Sequence, residues 1–450
     1  MRLLRFARTP PPLPWARPRY ELALLALVAV AALAPVYVIS PQDISRLCLT
    51  RALVHGQVRA DDCLATTMAV DKASYKGHLY SDKSPGLSVL EIPAYEALQI
   101  PALPTSWPWE FLSLWAIRIS ICGVAFLFCA FAVGRVAEGL SPGFGAPSLV
   151  AFALGTLVAP FSAANFDHVP TAAAGLGAFL LAWRRKPLLA GLLGGIALGL
   201  EYEAALILLI VGAYVALQGA WALGKYVYAA IPGAALLWTY DWLAFGSPWA
   251  TPYAHVSNQY TAEQAKGFFG IHIPHLHAAK LVFIGSGGLL TISPIVAAAA
   301  VGLWLLSRRH RAEAVACAAV VIAFVALNCG YFLPYGGTSP GPRFLIPALP
   351  FLALGLGPAF ACKPRLTALV ALASVIPMTA LTLTWANDLQ PRDTVWGEIV
   401  RLPLGTSRIG GKLAANALDW VGFTRGWGAV AVALAAAAAL AVACRPVVRR

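Results

Sequence analysis

Charge is what this chain has least of. Only 12% of its 450 residues are Asp, Glu, Lys or Arg, against 59% hydrophobic ones, and the mean hydropathy is +0.71. Soluble domains carry about 25% charged residues, so that class is excluded. Sustained alternation of apolar and polar residues is missing, which excludes a β-barrel and leaves continuous runs rich in Ala, Leu and Val. The chain has neither a G-x-x-x-x-G-K-[ST] loop nor a dinucleotide fingerprint, so nothing points to a bound nucleotide. No C-x-x-C pair occurs among the eight cysteines, and neither zinc nor a thioredoxin-like centre is indicated. Internal repeats are absent, as is any stretch with the composition of a separate soluble domain.

What is present is a series of apolar runs of about 17–25 residues, the length that crosses a hydrocarbon core. They predict an all-α polytopic membrane protein with about twelve transmembrane helices. The expected spans are 20–40, 110–134, 147–164, 170–183, two short helices within 187–220, 226–244, 281–306, 312–333, 344–361, 366–385 and 427–444. The first apolar run, 22–38, is span-length with no small-residue cleavage site after it, and reads as a retained helix. The net charge of +13 comes from clusters at span ends: Arg2, Arg5, Arg8, Arg17 and Arg19, then Arg184-Arg185-Lys186, Arg308-Arg309-His310-Arg311, Lys363-Pro364-Arg365, and Arg445, Arg449 and Arg450. That placement follows the positive-inside rule and argues against a nucleic-acid surface. It predicts a basic cytoplasmic lead, 1–19, followed by one transmembrane domain, 20–450, with both termini cytoplasmic. External segments are expected at 41–108, 245–280 and 386–424.

Within the 41–108 segment, Asp43 to Pro93 is the longest polar interval of the chain. It holds Asp43, Asp61, Asp62, Asp71 and Asp82 beside Lys72, Lys76 and Lys83. Carboxylates and lysines at the lip of a bilayer region are costly there, which marks the loop as a candidate active site. Asp43 suits a helix N-cap before Ile44-Ser45-Arg46, and equally a general base facing a membrane-surface hollow. In Asp82-Lys83-Ser84-Pro85-Gly86 the Pro-Gly pair makes a tight turn that holds Lys83. Lys83 is then a point charge for a phosphate or a snorkelling headgroup anchor. Tyr80 adjoins it. Asp167-His168 ends a span as a solvated turn or as a second acid of the same hollow. Glu201 and Glu203 interrupt an apolar run and need a partner. Arg343 follows a Gly- and Pro-rich stretch and could bind a second phosphate oxygen or a headgroup. His272, His275 and His277 lack the i, i+4 spacing and the glutamate of a metalloprotease site and read as interfacial histidines. Cys48 and Cys63 share the external loop, where a disulfide would persist.

Taken together these stretches resemble the GT-C superfamily of membrane glycosyltransferases. The likeness is to glycosyltransferase family 39 and its RgtA/B/C/D-like branch, which includes protein O-mannosyltransferases and the lipid A aminoarabinose transferase. Asp43 resembles the family's acid in the first external loop. The 77–86 stretch, Gly-His-Leu-Tyr-Ser-Asp-Lys-Ser-Pro-Gly, resembles its Y-x-x-K-P-P motif, with Ser84 in place of the first proline. Asp167 resembles the acid after the third span. Phe245-Gly246-Ser247-Pro248 and Gly341-Pro342-Arg343-Phe344 resemble later recurrent stretches. The family's first-loop Asp-Glu pair is absent, since Ile44 follows Asp43, and Asp71 and Asp82 stand as alternates for the base. The resemblance implies a GT-C-like bundle in a bacterial inner membrane. It further implies an inverting transfer of sugar from a polyprenyl-phosphate donor to a hydroxyl of a glycan, lipid or protein, with no cofactor and no residue assigned as a metal ligand. Asp43 would be the base, with Tyr80, Asp82, Lys83, Asp167, His168 and Arg343 binding substrate. A transporter or flippase of a lipid-linked sugar is the alternative, with Glu201 and Glu203 as its site.

Overall fold

The computed structural model describes residues 18–65, 71–98, 109–337, 339–384, 395–401, 415–418 and 427–448. Most of the expected basic lead, residues 66–70 and 99–108 of the first loop, and most of the 386–424 segment lie outside the described residues. Within them the chain is helical apart from two antiparallel two-stranded pairs, Pro35–Val36 with Ala415–Asn416 and Lys72–Tyr75 with His78–Ser81.

The expectation of about twelve spans meets a multi-pass helical bundle in which fewer full-length spans stand out. Among the described residues four helices are long and apolar enough to cross a membrane: Phe111–Leu140, Arg311–Gly330, Pro364–Thr384 and Trp427–Cys444. Two bent pairs raise the number to six, Leu276–Ile292 with Ile295–Ser307 at 90° and Arg343–Ala353 with Leu356–Cys362 at 56°. Apolar runs that read as single spans are broken by backbone geometry that hydropathy does not register. The 147–164 run stops at Thr156, which is extended, and resumes as Val158–Phe161. The 344–361 run opens with the 3-10 turn Arg343–Ala348, which contains Pro347. The 187–220 run is two helices, Pro187–Leu200 and Ala205–Ala216, with the 3-10 turn Tyr202–Ala204 between them. Glu201 and Glu203 therefore sit at a helix break, as that run's composition suggested.

The His168–Trp183 helix is central, with 14 of its 16 residues buried. Beside it, Pro187–Leu200 packs closely on Ala220–Phe245. Helices in lipid gain nothing from excluding water from one another, so they associate where small residues let backbones approach. Gly191 and Gly195 lie four apart on that seam, and a Cβ on Gly195 would come within 2.6 Å of the Ala230 carbonyl oxygen.

One end of this bundle carries the first loop. Its helix Pro41–Val54 is tied by a Cys48–Cys63 disulfide to the short helix Asp61–Leu64. The 72–81 hairpin turns through Lys76 and Gly77, both at positive φ, as a two-residue primed turn requires. The second loop lies along that hairpin, with Ser257 N donating to the Lys72 carbonyl at 2.9 Å and Ala73 bridged to Val256.

Candidate active site

Helix Pro41–Val54 starts with a reciprocal cap. The Ser40 hydroxyl accepts from Asp43 N, and Asp43 Oδ2 accepts from Ser40 N at 2.7 Å and from Ser40 Oγ at 2.6 Å. Arg118 completes the arrangement, its Nε reaching Asp43 Oδ1 at 2.9 Å and its Nη2 reaching Oδ2 at 2.7 Å. A carboxylate offers about four lone-pair positions, and these four donors engage them. Arg118 also donates to the Tyr37 and Val38 carbonyls. Asp43 is 1% exposed, so its carboxylate fastens the start of the helix to the end of Trp109–Arg118.

The next turn of the same helix faces a different group of residues. Gln42, Ser45 and Arg46 share a face by their i, i+3 and i+4 spacing. Gln42 Nε2 donates to Asp71 Oδ2 at 2.7 Å, and Ser45 Oγ meets Ser81 Oγ at 2.8 Å and Asp82 Oδ1 at 3.3 Å. Arg46 bonds Gln42 and pairs with Asp167 Oδ2 at 2.6 Å. One helical face thus gathers three acids from distant parts of the chain. Burial alone would raise the Asp167 carboxyl, but Arg46 and His168 hold it below the usual carboxylate range.

Lys83 enters from the 82–86 turn. Ser84 Oγ donates to the Leu200 carbonyl, one of the acceptors left open at a helix C-terminus. A Cβ on Gly86 would lie 2.2 Å from the Gly199 carbonyl oxygen, so only glycine allows this approach. The turn is thereby locked onto the segment that carries Glu201. Lys83 Nζ lies 3.1 Å from Asp82 Oδ2 and 3.6 Å from Asp71 Oδ2. Burial alone would lower the Lys83 ammonium, but the two acids hold it above its ordinary value. Burial pushes the Asp82 carboxyl up to about 6 despite Lys83 beside it.

Arg343 lies within electrostatic reach of the same group, of Asp71, Asp167 and Arg46. Its guanidinium stacks on Phe166 at 5.2 Å and Phe344 at 5.6 Å. No carboxylate among the described residues lies within ion-pair distance of it, and its buried Nε has no hydrogen-bond partner. On the far side His168 Nδ1 meets Glu201 Oε1 at 2.7 Å and Asp167 Oδ1 at 3.6 Å. Ligand atoms of Asp167, His168 and Glu201 fall within 4.8 Å of one another, a spacing that would admit a cation. Those atoms are already engaged, Asp167 by Arg46 and His168 by Glu201.

The structure therefore brings together Asp82, Lys83, Asp167, His168 and Arg343. Two expected site residues are placed otherwise. Asp43 meets Arg118, not Lys83, whose acidic partners are Asp71 and Asp82. Tyr80 packs on Phe245 at 5.2 Å in an apolar cluster with Leu49, Ala73 and Tyr240, and the charges nearest it are Arg59 and Asp61. Sequence reasoning passed over Gln42, Arg46 and Arg118. The available signal was the polar face that Gln42, Ser45 and Arg46 make at helical spacing beside Asp43. A separate cavity of about 380 Å³ lies beside the disulfide, lined by Arg51, His55, Arg59 and Asp62 among others, none of them in the Lys83 group.

The chain is an all-α, multi-pass membrane protein with a polar first loop folded over its bundle, and solved membrane proteins share this fold. The structure is similar to that of ArnT from Cupriavidus metallidurans bound to undecaprenyl phosphate, with a TM-score of 0.53 and 13% identity over 96% of this chain and 77% of that one. ArnT from the same organism in the apo state aligns with a TM-score of 0.49 and 17% identity over 95% and 77% of the two chains. The apo oligosaccharyltransferase of Archaeoglobus fulgidus aligns with 0.47 and 14% over 86% and 60%. No protein-family model matches the chain, and no curated protein does.

Proposed function

We propose that this chain is a glycosyltransferase of the family 39 and RgtA/B/C/D-like kind, moving a sugar from a polyprenyl-phosphate donor to a hydroxyl acceptor on the outer side of a bacterial inner membrane. The basic span-end clusters support that orientation, with both termini cytoplasmic. The observation that carries the reading is Arg343, a guanidinium with no carboxylate partner among the described residues, within electrostatic reach of Lys83. Two cations at one site, one of them uncompensated, suit the phosphate of a lipid donor.

In this reading the donor phosphate lies against Lys83 and Arg343. Asp71 is the carboxylate best placed to act as base, since it is half-buried and its contacts among the described residues, Gln42 and Lys83, both fall on Oδ2. It takes the proton of the acceptor hydroxyl as that oxygen bonds to the anomeric carbon. The bond from that carbon to the phosphate oxygen breaks on the opposite face, which inverts the centre. The proton ends on Asp71, and the released polyprenyl phosphate keeps the electron pair and the added negative charge. Lys83 and Arg343 stabilise this charge as it develops, a contribution that is often the largest in such catalysis. Asp43 and Arg118 position the helix that presents Gln42 and Arg46, while Asp82 orients Lys83 and Asp167 orients Arg46.

The transporter alternative needs Glu201 and Glu203 to form a site of their own. Glu201 instead joins the Asp167–His168 group. The test is an assay of purified protein in lipid nanodiscs with a panel of radiolabelled polyprenyl-phosphate sugars and hydroxyl acceptors. Glycosyl transfer that disappears in folded Lys83→Ala supports the enzyme, and lipid movement across the bilayer without transfer supports the transporter.

A further inference from the structure

The break between Pro187–Leu200 and Ala205–Ala216 supplies two acids that the phosphate and proton steps leave unused. Glu201 is 3% exposed, and its Oε1 meets His168 while its Oε2 is buried without a hydrogen-bond partner. The Thr171 hydroxyl lies beside Glu201 and is the neighbouring group that can donate to it. Glu203 Oε2 is buried and unpartnered too. Both carboxyls thus present oxygens that can accept from a bound hydroxyl.

These acids lie beside the proposed phosphate site. The Gly86–Gly199 contact and the Ser84 bond to Leu200 fix the Lys83 turn against residue 201. The Tyr331 phenol is within electrostatic reach of Lys83, Arg343 and Glu203 together. The Tyr253 phenol, carried in by the second loop, is within reach of Glu203, Asp167 and Asp82. Its ring meets Tyr202 edge-on at 5.5 Å, and Tyr202 is held by a 2.8 Å hydrogen bond to Asp241.

We infer that Glu201, Glu203 and Tyr253 form the subsite for the transferred sugar, and that they select a neutral, hydroxyl-rich glycosyl group over an acidic one. The carboxyl oxygens accept from sugar hydroxyls, and the Tyr253 ring offers an apolar wall for a face of the ring. A uronic acid would bring a second anion beside Asp167, which its pairing with Arg46 keeps ionised, and like charges in a buried site repel.

This inference rests on the glycosyltransferase reading, and the experiment separates the two. Full-length protein in nanodiscs is titrated with polyprenyl phosphate alone, with the same lipid carrying a neutral hexose, and with the lipid carrying a hexuronic acid. The neutral sugar is expected to tighten binding over the bare lipid phosphate by about tenfold or more, the worth of one or two hydrogen bonds to charged groups. Glu203→Gln and Glu201→Gln are expected to remove that gain and leave affinity for bare polyprenyl phosphate unchanged. No binding of polyprenyl phosphate at all would sink the transferase reading itself. Binding of the bare lipid with no gain from the neutral sugar, or a gain that survives both substitutions, would overturn the subsite alone. Equal binding of the uronic acid would overturn the selectivity, and a gain abolished by chelation would assign the carboxylates to a cation instead.

Discussion

Arg118 grips both carboxylate oxygens of Asp43, at 2.9 Å and 2.7 Å, with both side chains almost wholly buried. Removing one partner of such a pair strands the other charge and costs about 3–5 kcal/mol. Asp43→Asn is therefore expected to lower the thermal midpoint strongly, and Arg118→Met should do the same. Any loss of transfer in Asp43→Asn should follow the folded fraction. Thermal unfolding in detergent alongside turnover per folded molecule checks this, and a normally stable, inactive Asp43→Asn would restore Asp43 as the base.

Asp71 behaves differently on this account. It is half-buried, and Lys83 keeps Asp82 as a partner when Asp71 is lost. Asp71→Asn should cost little stability and reduce kcat by about 10²–10⁴-fold, the usual worth of a positioned base. Single-turnover rates at saturating donor measure it. A variant within threefold of the wild type would move the proton step elsewhere.

Glu91 carries a pH dependence. It is fully buried on Gly86–Leu98, accepts from Thr50 Oγ1 at 2.7 Å, and burial pushes its carboxyl up to about 7. A carboxyl raised above its unfolded value contributes stability that is complete below about pH 4.5 and is lost as pH rises through about 7. Glu91→Gln keeps an acceptor for Thr50 and removes the titration. The expected result is a wild-type midpoint that falls between pH 5 and 8 by more than that of Glu91→Gln. Parallel curves would show that Glu91 does not titrate in that window.

The Gly86 contact predicts that Gly86→Ala separates folding from function. Its added methyl meets backbone at 2.2 Å, which cannot yield as a flexible side chain would. The 82–86 turn must shift as a unit and carry Lys83 away from Arg343. Donor KM is expected to rise while helix content in circular dichroism stays the same, whereas unchanged KM would show that the turn is not what places Lys83.

The sequence disclosed the hollow's components unevenly. Lys83 stood out because charge is scarce and a Pro-Gly turn follows it, and Glu201 and Glu203 because they interrupt an apolar run. The Cys48–Cys63 bond was open to expectation because both cysteines share one polar loop. The partner of Asp43 lay hidden, since Arg118 is 75 residues further along and resembles any basic residue near a span. Arg46 and Asp167 are 121 residues apart, a pairing that only the helix packing creates. The number of full spans was also illegible, because Thr156 and Pro347 break runs whose apolar composition is uninterrupted.

The most direct test of the central claim is a cryo-EM map of the protein with a non-hydrolysable polyprenyl-phosphosugar analogue bound. The account places the phosphate within ion-pair distance of both Lys83 and Arg343, with the Asp71 carboxylate on the opposite side of the anomeric carbon. Density for the phosphate elsewhere, or Asp43 released from Arg118 and facing that carbon, would contradict it.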